Sequence, residues 1–315
     1  MNWVSGNSVG IDLCSSAFGR FFSKISGWKY NVSMTLFGLR WIFIFFLFVS
    51  CLFAWTNLLW QANNDLAVYF LDVGQGDAIL IRAPTGRTIL IDGGPGKNIL
   101  SETATVLPFA VRSLDLIMES HPDSDHVAGL PDVLQRYEVR GVIKPCIGSD
   151  NSYDQALDRI AQEKSVKNIC ALAGQQIDLG GGAVMEIIHA GSEEGADTNA
   201  SSIVARLTYG RTSFLFSGDT TEKVERYLEF TAAEKLPANV YKVSHHGSKE
   251  SNEEGFIKRV DPEISIISVG ADNRYGHPHQ EVLNALEKQG SIVLRTDQLG
   301  TITLESDGDK VSVSY

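Results

Sequence analysis

Hydrophobic and polar positions divide the chain into two regions that meet near Asp65. Before that residue, Trp41 to Trp60 forms an apolar run of 20 residues without a charged side chain, which is long enough to cross a bilayer as a helix. After it, the apolar runs are short, and turns that contain glycine or proline, such as GQGD and APTGR, separate them. The pattern predicts a membrane-length helix followed by a domain of alternating strands and helices.

The spacing of apolar residues predicts two mixed halves within residues 66–315. Predicted strands lie at 67–73, 78–82, 88–92, 114–118, 142–146, 166–170, 183–189, 202–209, 212–217, 240–244, 264–268, 292–295 and 301–305. Predicted helices lie at 129–137, at 153–164, from 221 onward, at 253–259 and at 280–288. Because neither a repeat nor a linker separates the halves, the expected fold class is α/β (α+β), with two sheets face to face and helices outside.

The apolar run has the flanks of a membrane segment. All nearby Lys and Arg lie on its N-terminal side, and Trp41, Trp55 and Trp60 suit the two interfaces. The positive-inside rule then places the N-terminus in the cytoplasm and residues 66–315 on the extracytoplasmic side of the inner (cytoplasmic) membrane. A cleaved signal segment that starts at Met34 is an alternative that also exports the domain. A buried core helix is the third interpretation.

The expected domain organisation is an N-terminal tail at 1–33, a membrane anchor or signal segment at 34–60 and one domain at 66–315. The formal net charge is −11, and residues 1–60 contain four basic residues and one acidic residue, so residues 61–315 carry −14. So acidic a domain argues against a broad basic groove for nucleic acid. A phosphate-bearing substrate would depend on metal ions and a few local donors.

The four cysteines, Cys14, Cys51, Cys146 and Cys170, show neither CxxC spacing nor a zinc-finger pattern. Cys146 and Cys170 each end a strand-like run. They would form a disulfide if the domain faces an oxidising compartment. Two separate buried thiols are an equal alternative.

The sequence HPDSDH puts four candidate metal ligands, His121, Asp123, Asp125 and His126, within six residues. They directly follow the predicted strand 114–118. Imidazoles and carboxylates at alternate positions after a buried strand converge on one point, as a divalent metal site requires. A polar loop with chance histidines is the alternative interpretation.

Two glycine-containing turns follow other predicted strands. In DVGQGDA the glycines permit a tight turn, and Asp77 is expected to hydrogen-bond the backbone of that turn, with a direct part in the site as the alternative. In the sequence IDGG, Asp92 either orients a metal-bound histidine or is an ordinary turn aspartate.

Three further motifs complete the candidate site. Asp219, in SGDT, can bridge two metal ions, with an ordinary turn aspartate as the alternative. His245 and His246, in KVSHHGS, are adjacent and must point in different directions, so one of them is expected to be a ligand. His277 and His279, in NRYGHPH, either donate to a substrate oxyanion and protonate a leaving group or belong to an exposed loop that caps a helix.

In this combination the motifs resemble those of the metallo-β-lactamase superfamily. The set DVGQGDA, DGG, SHPDSDH, SGD, KVSHHGS and NRYGHPH is similar to the hydrolase domain of the ComEC competence-protein family, and the resemblance covers residues 66–315. It implies an αββα sandwich with two divalent metal ions at one edge of the sheets.

The resemblance also implies roles for individual residues. His121 and Asp123 would hold the first metal ion, and Asp125 and His126 the second. Asp219 would bridge them, and the second site would be completed by His246, with His245 as the reserve candidate.

Two departures from the superfamily pattern concern the first metal ion. Asp123 stands where most members have histidine, and the usual histidine before the bridging aspartate has no counterpart in the segment 197–202. The resulting set is richer in oxygen, which shifts the expected preference from zinc toward manganese or magnesium and fits phosphoester chemistry.

The expected function is that of a membrane-anchored, metal-dependent phosphodiesterase or nuclease, with DNA as the leading substrate and a link to DNA uptake in competence. Asp125 would act in catalysis, and His277 or His279, with Lys249 or Ser248, would stabilise phosphoryl oxygens or the leaving group. A hydrolase of small esters, lactones or lactams is the alternative enzyme. A weakly active binding subunit is the other alternative. With one candidate span, the chain is expected to act beside a separate channel protein.

Overall fold

The computed structural model describes residues 38–55, 65–191 and 197–315, and the chain divides into two compact units, 1–60 and 61–315. In the first unit, helix α1 covers Gly38–Trp55, with 18 residues and a mean hydropathy of 2.0. Its length and composition suffice to cross a membrane. The predicted tail at 1–33, the signal start at Met34 and the last five residues of the predicted span lie outside the described residues.

The first sheet of the second unit contains eight strands. Their bounds are β1 Leu66–Phe70, β2 Ile79–Arg82, β3 Thr88–Ile91, β4 Ser113–Met118, β5 Glu138–Lys144, β6 Lys167–Cys170, β14 Ile302–Ser306 and β15 Val311–Ser314. The strand order is β15-β14-β1-β2-β3-β4-β5-β6. Pairs from β15 to β3 are antiparallel, whereas β3, β4, β5 and β6 run parallel.

The second sheet contains seven strands. Their bounds are β7 Gln176–Gly180, β8 Ala183–His189, β9 Val204–Tyr209, β10 Thr212–Phe216, β11 Val240–Lys242, β12 Ile264–Ile267 and β13 Ile292–Arg295. The order is β13-β12-β11-β10-β9-β8-β7, and the four strands from β10 to β13 run parallel.

Successive side chains along a strand point to opposite faces of its sheet, and this alternation forms two separate apolar layers. In β10, Phe214 and Phe216 enter the core between the sheets together with Phe70, whereas Leu215 enters a separate core beneath outer helices. Because such a strand is buried on both faces, it reads as a continuous apolar run. The helices are α2 Asn98–Val106, α3 Ser124–Val127, α4 Leu130–Arg136, α5 Ser152–Glu163, α6 Glu222–Thr231, α7 Glu254–Val260, α8 Gln280–Gln289 and α9 Thr296–Leu299.

The outer helices confirm the expected αββα sandwich. Helices α4 and α5 pack on β5 and β6 of the first sheet, and α6, α7 and α8 bury apolar faces against the second. All thirteen predicted strands and all five predicted helices have counterparts, within a few residues at their ends.

The elements that were not predicted are those with weak apolar signals. Helix α2 fully buries Ile99 and Thr103 alone, β7 fully buries Leu179 alone, and the edge strand β15 has no fully buried residue. Two helical turns were not predicted either: α3, which begins within HPDSDH, and α9, each of four residues.

The candidate motifs meet at one edge of the sandwich because they follow parallel strands. Asp92 follows β3, His121 follows β4, Asp219 follows β10 and His246 follows β11. The carboxyl ends of parallel strands lie at the same edge of a sheet, and such edges are common sites of binding and catalysis.

A disulfide joins Cys146, which follows β5, to Cys170, the last residue of the adjacent strand β6, with Cα atoms 5.2 Å apart. Of the two alternatives left open by the sequence, the structure therefore has the disulfide. The bridge closes a loop with a sequence separation of 24 and ties α5 between its two strands.

A network of buried hydrogen bonds fixes the segment after β11. Glu225 of α6 is buried and accepts backbone N–H bonds from Asn252 at 2.8 Å and Glu253 at 3.0 Å. Burial raises the pKa of Glu225 to about 7, although these two N–H bonds act to lower it. Asn252 in turn accepts from the Tyr241 hydroxyl at 3.0 Å and from the backbone N–H of Ser244 at 3.1 Å, so the network reaches the HHG turn.

Replacing Cys146 and Cys170 together by serine should lower the free energy of unfolding by about 3 kcal/mol, because the reduced chain regains the entropy of the opened loop. Urea unfolding of the full chain in detergent measures this change. Cys51→Ser, at an exposed free cysteine, should have no effect. Equal stability of the double variant and the wild type would contradict the structural role of the bridge.

The pKa of Glu225 also predicts a pH dependence of stability. Its folded-state pKa of about 7 exceeds the ordinary value of 4.5, so the folded chain binds the extra proton and the Glu225 contribution weakens as pH rises from about 4.5 to about 7. Glu225→Gln removes this dependence. Between pH 5 and pH 8 the unfolding free energy of the variant should therefore rise relative to wild type by up to about 3 kcal/mol. Glu234→Gln, at an exposed position, is the control. A pH-independent difference would refute the assignment.

Candidate metal centre

Four side chains place their ligand atoms within 4.8 Å of one another: Asp125, His126, Asp219 and His246. Asp219 Oδ2 lies at the middle, 3.2 Å from His126 Nε2 and 3.4 Å from His246 Nε2. Asp125 Oδ2 lies 3.4 Å from the same nitrogen of His246. Three of the four residues are fully buried, and Asp125 is half-buried. We call them the four-ligand group.

The polar atoms of this region fit a divalent metal ion. His121 Nε2, His126 Nε2, His246 Nε2 and Asp219 Oδ1 are buried, and each lacks a hydrogen-bond partner among the described residues. Leaving a buried polar atom unsatisfied costs about 1–3 kcal/mol, so several such atoms in one place indicate a ligand. Imidazole nitrogens together with carboxylate oxygens are suitable donors for zinc or manganese.

The histidines of the four-ligand group are held from behind through Nδ1. His246 Nδ1 donates to the Ser268 carbonyl at 2.8 Å, and His126 Nδ1 is 2.9 Å from Asp92 Oδ2. A carbonyl can only accept, so the proton of neutral His246 is on Nδ1. Its Nε2 lone pair is then directed at the group, which is the arrangement that orients metal-binding histidines.

Asp92 orients His126 and does not join the four-ligand group. Besides His126, its carboxylate accepts the Ser120 backbone N–H at 2.7 Å and the Ser120 hydroxyl at 2.6 Å. The orienting role therefore fits the structure better than that of an ordinary turn aspartate.

His121 and Asp123 lie beside the four-ligand group. The His121 ring centroid is 4.2 Å from that of His126, and His121 Nε2 is 3.8 Å from Asp123 Oδ2. Burial and the neighbouring His126 lower the pKa of His121, whereas burial raises that of Asp123, whose carboxylate is hydrogen-bonded to Thr198. The segment 197–202, which lacks the superfamily's usual histidine, thus supplies the Thr198 hydroxyl next to Asp123.

The charges of the four-ligand group are strongly coupled. Burial acts to raise the pKa of Asp219, but His246, His126 and Lys242 hold it well below its ordinary value. Burial acts to lower the pKa of His246, yet Asp219 and Asp125 raise it to about 9. A cation that binds here displaces these protons, so its affinity rises with pH.

Lys242 is the one charged side chain of the site to which the sequence assigned no role. It is 1% exposed, pairs with Asp77, donates to the Gly218 carbonyl at 3.1 Å and lies 3.6 Å from Asp219 Oδ1. Burial acts to lower its pKa, but the charges of Asp77 and Asp219 raise it, so the ammonium stays charged. The sequence feature that could have indicated a role for Lys242 is its position as a charged residue at the end of the otherwise apolar strand VYK.

Asp77 has a different partner from the expected turn backbone. Apart from its ion pair with Lys242, it lies 3.6 Å from His246 Nδ1 and 3.7 Å from His126 Nδ1, so it supports both rings. The turn that carries it packs closely on α3. At Gly76, with φ +135°, a Cβ would stand 2.0 Å from the Asp125 carbonyl oxygen, so only glycine fits.

The HHG turn separates the two adjacent histidines. Both have left-handed backbone angles, φ 49° at His245 and φ 52° at His246. His246 is buried within the four-ligand group. His245 is partly exposed, and its Nε2 lies 3.9 Å from Asp219 Oδ2, at the rim.

The remaining predicted site residues line the mouth of the centre. The His277 ring is 5.6 Å from that of His245 and 6.5 Å from that of His246, and its buried Nδ1 has no partner among the described residues. Burial, with His245 and His246 nearby, lowers the pKa of His277 to about 4, so it is neutral at pH 7. His279 accepts the Lys249 backbone N–H at 3.2 Å and makes no helix-capping bond, and Lys249 itself is exposed.

Weakening the support of His126 should weaken metal binding. Asp92→Asn removes the charge behind Nδ1, and losses of this kind typically lower metal affinity about 10- to 100-fold. Competition of the full chain with a chromophoric chelator for Mn²⁺ or Zn²⁺ measures the change. Asp150→Asn, on an exposed loop, should bind metal like the wild type. Unchanged affinity of Asp92→Asn would show that Asp92 does not support the site.

Comparison with known proteins agrees with this geometry. Residues 71–271 match the family model of the metallo-beta-lactamase superfamily. ComE operon protein 3 of Bacillus subtilis is 31% identical over 257 residues, which cover 76% of this chain and 33% of that protein. Competence protein ComA of Neisseria gonorrhoeae is 30% identical over 244 residues, covering 76% and 32%. The chain thus spans about a third of the length of these relatives.

Among solved structures, CmlA, a diiron beta-hydroxylase from Streptomyces venezuelae, is similar with a TM-score of 0.51 and 18% identity, covering 77% of this chain and 54% of that one. At this identity the likeness concerns the fold alone. The family match over residues 71–271, together with the αββα sandwich, shows that the chain belongs to the metallo-β-lactamase superfamily, with competence proteins of the ComEC family among its relatives.

Proposed function

We propose that this protein hydrolyses phosphodiesters with divalent metal ions, with DNA as its substrate. The observation that carries the proposal is the four-ligand group, whose unpartnered metal-binding atoms converge beneath a mouth lined by His277 and His279, with the backbone of the exposed Lys249 bonded to His279. The competence names of the relatives support DNA over other phosphodiesters.

Two metal ions are proposed. Asp125, His126 and His246 would hold one, His121 and Asp123 the other, and Asp219 would bridge them. The ions supply Lewis acidity and activate water at neutral pH. With Asp123 in place of a histidine, the first set is rich in oxygen, which favours manganese or magnesium over zinc there.

The chain's own residues position the reactants. Asp125, half-buried beside His246, orients the attacking water with its carboxylate. Water oxygen bonds to phosphorus as the ester P–O bond breaks, giving a phosphomonoester and an alcohol. Neutral His277 and the adjacent His279, with ring centroids 5.0 Å apart, hydrogen-bond the phosphoryl and leaving oxygens, and the Lys249 ammonium balances their charge.

The proposed location follows from helix α1. A segment of this length and apolarity would fix the chain in the cytoplasmic membrane, with the catalytic unit on the extracytoplasmic side and a separate channel protein as partner. The disulfide supports the extracytoplasmic side, because disulfides persist in oxidising compartments.

Replacing Asp125 should lower the activity strongly. With Mn²⁺, the full chain in detergent should cleave bis(p-nitrophenyl) phosphate and oligonucleotides, and Asp125→Ala should lower kcat/KM by about 100-fold or more, because a ligand and a water-orienting group are lost. Asp150→Ala, an exposed aspartate, should keep full activity. Metal content is measured in parallel.

Three outcomes contradict the proposal. Retained activity in Asp125→Ala would refute the roles assigned to the site. Hydrolysis of lactones or esters without cleavage of phosphodiesters would select a small-molecule hydrolase. Negligible metal content and no hydrolysis would indicate a binding subunit.

A further inference from the structure

The mouth of the metal centre continues into an exposed aromatic and cationic pair, Tyr275 and Arg274, that the catalytic roles do not use. Tyr275 is 51% exposed, and its ring stacks with that of His277, with centroids 5.7 Å apart and planes 24° apart. The Arg274 guanidinium lies 5.3 Å from the centre of the tyrosine ring and donates to its hydroxyl at 3.2 Å. His277 therefore connects this pair to His246 of the four-ligand group.

The loop that carries the pair is built by Asn273 and does not need the tyrosine ring. Asn273 Oδ1 accepts the backbone N–H groups of Tyr275 at 3.2 Å and His277 at 2.9 Å, and its Nδ2 donates to the carbonyls of His277 and Gly270 at 2.7 and 2.9 Å. Side-chain bonds thus fix the backbone, while half of the Tyr275 surface faces solvent. A large aromatic held in this way is available to a ligand.

Two exposed cationic side chains belong to the segments beside the metal centre. Residues 61–315 carry −14, but Arg274 and Lys249 are exposed and form no ion pair with a carboxylate of the described residues. By contrast, the exposed Arg226 is held in an ion pair with Glu253. These two cations are therefore available to a phosphate beside the metal centre.

We propose that Arg274 and Tyr275 form a platform for an unpaired nucleobase and its phosphate, next to the phosphodiester that is cut. This inference rests on the proposed function. Bases stack on tyrosine rings and on guanidinium planes, and each such contact is worth about 1–3 kcal/mol. A base can use the platform only when it is not stacked in a duplex. The substrate class is therefore single-stranded nucleic acid or a frayed end, recognised through a base and not through an extended basic groove.

Two oligonucleotides with the same backbone test the platform. The full chain in detergent is assayed with Mn²⁺ on a short oligothymidylate and on an oligomer of equal length in which every nucleotide is abasic. Tyr275→Ala should raise KM for oligothymidylate about 5- to 100-fold more than KM for the abasic oligomer. Tyr275→Phe keeps the ring and should restore the wild-type ratio. Tyr315→Ala, at another exposed tyrosine, should leave the ratio unchanged.

The contribution of Arg274 has a separate readout. If its guanidinium contacts one phosphate, Arg274→Gln should reduce the slope of log KM against log salt by about 0.7, the value expected per phosphate of a single strand. Arg274→Lys should keep most of the slope. This measurement does not depend on the tyrosine variants.

The outcomes separate the platform from the catalytic proposal. If the wild type cleaves oligothymidylate but Tyr275→Ala has an unchanged KM, the platform is refuted and the phosphodiesterase stands. An equal rise in KM on both oligomers would also refute it, because that result indicates a distorted loop. If the wild type cleaves neither oligomer and no phosphodiester, the proposed function fails, and the platform fails with it.

Discussion

One buried ion pair joins the two sheets at the edge where the site forms. Asp77 lies in the turn between β1 and β2 of the first sheet, and Lys242 ends β11 in the middle of the second, where it pairs in register with Phe216 and Ile266. Neither charge is more than 1% exposed. Removing one partner of a buried ion pair typically lowers the stability of the fold by about 3–5 kcal/mol. The edges of the two sheets must therefore stay aligned so that Asp77 and Lys242 remain in contact. The pair also contacts the metal centre directly, since Asp77 lies beside the Nδ1 atoms of His126 and His246 and Lys242 lies beside Asp219.

Around this ion pair, buried carboxylates outnumber buried ammonium groups. Asp77, Asp92 and Asp219 are all buried, but Lys242 is the only buried ammonium among the described residues. Asp92 is satisfied by Ser120 and His126, whereas Asp219 Oδ1 has no hydrogen-bond partner. The uncompensated negative charge is therefore located on the Asp219 carboxylate, which lies between the Nε2 atoms of His126 and His246. A cation at this position would satisfy the carboxylate and both nitrogens at once.

Much of this arrangement was predictable from local sequence. HPDSDH, SGD and the HHG turn carry their chemistry in adjacent residues, and each follows an apolar run that reads as a strand. The role of Lys242 could not be predicted, because its partner Asp77 is 165 positions away and only the packing of the two sheets brings them together. Asp77 was assigned to its own turn for the same reason. The elements β7 and β15 were missed because edge strands bury little and so leave little apolar pattern.

The acidity of the domain is compatible with an anionic substrate once the positions of the charges are considered. At physiological ionic strength exposed charges act over about 8 Å, so a phosphate at the mouth responds to its neighbours and not to the sum over the domain. The innermost carboxylates, Asp77 and Asp219, share the charge of Lys242, and a bound divalent cation would balance the negative charge that remains on Asp219. Arg274 and Lys249 stand outside this group with no acidic partner among the described residues. Two unpaired cations and an aromatic ring can then bind one phosphate and one base without an extended basic groove. The acidic surface of the rest of the domain repels duplex DNA and so opposes its nonspecific binding.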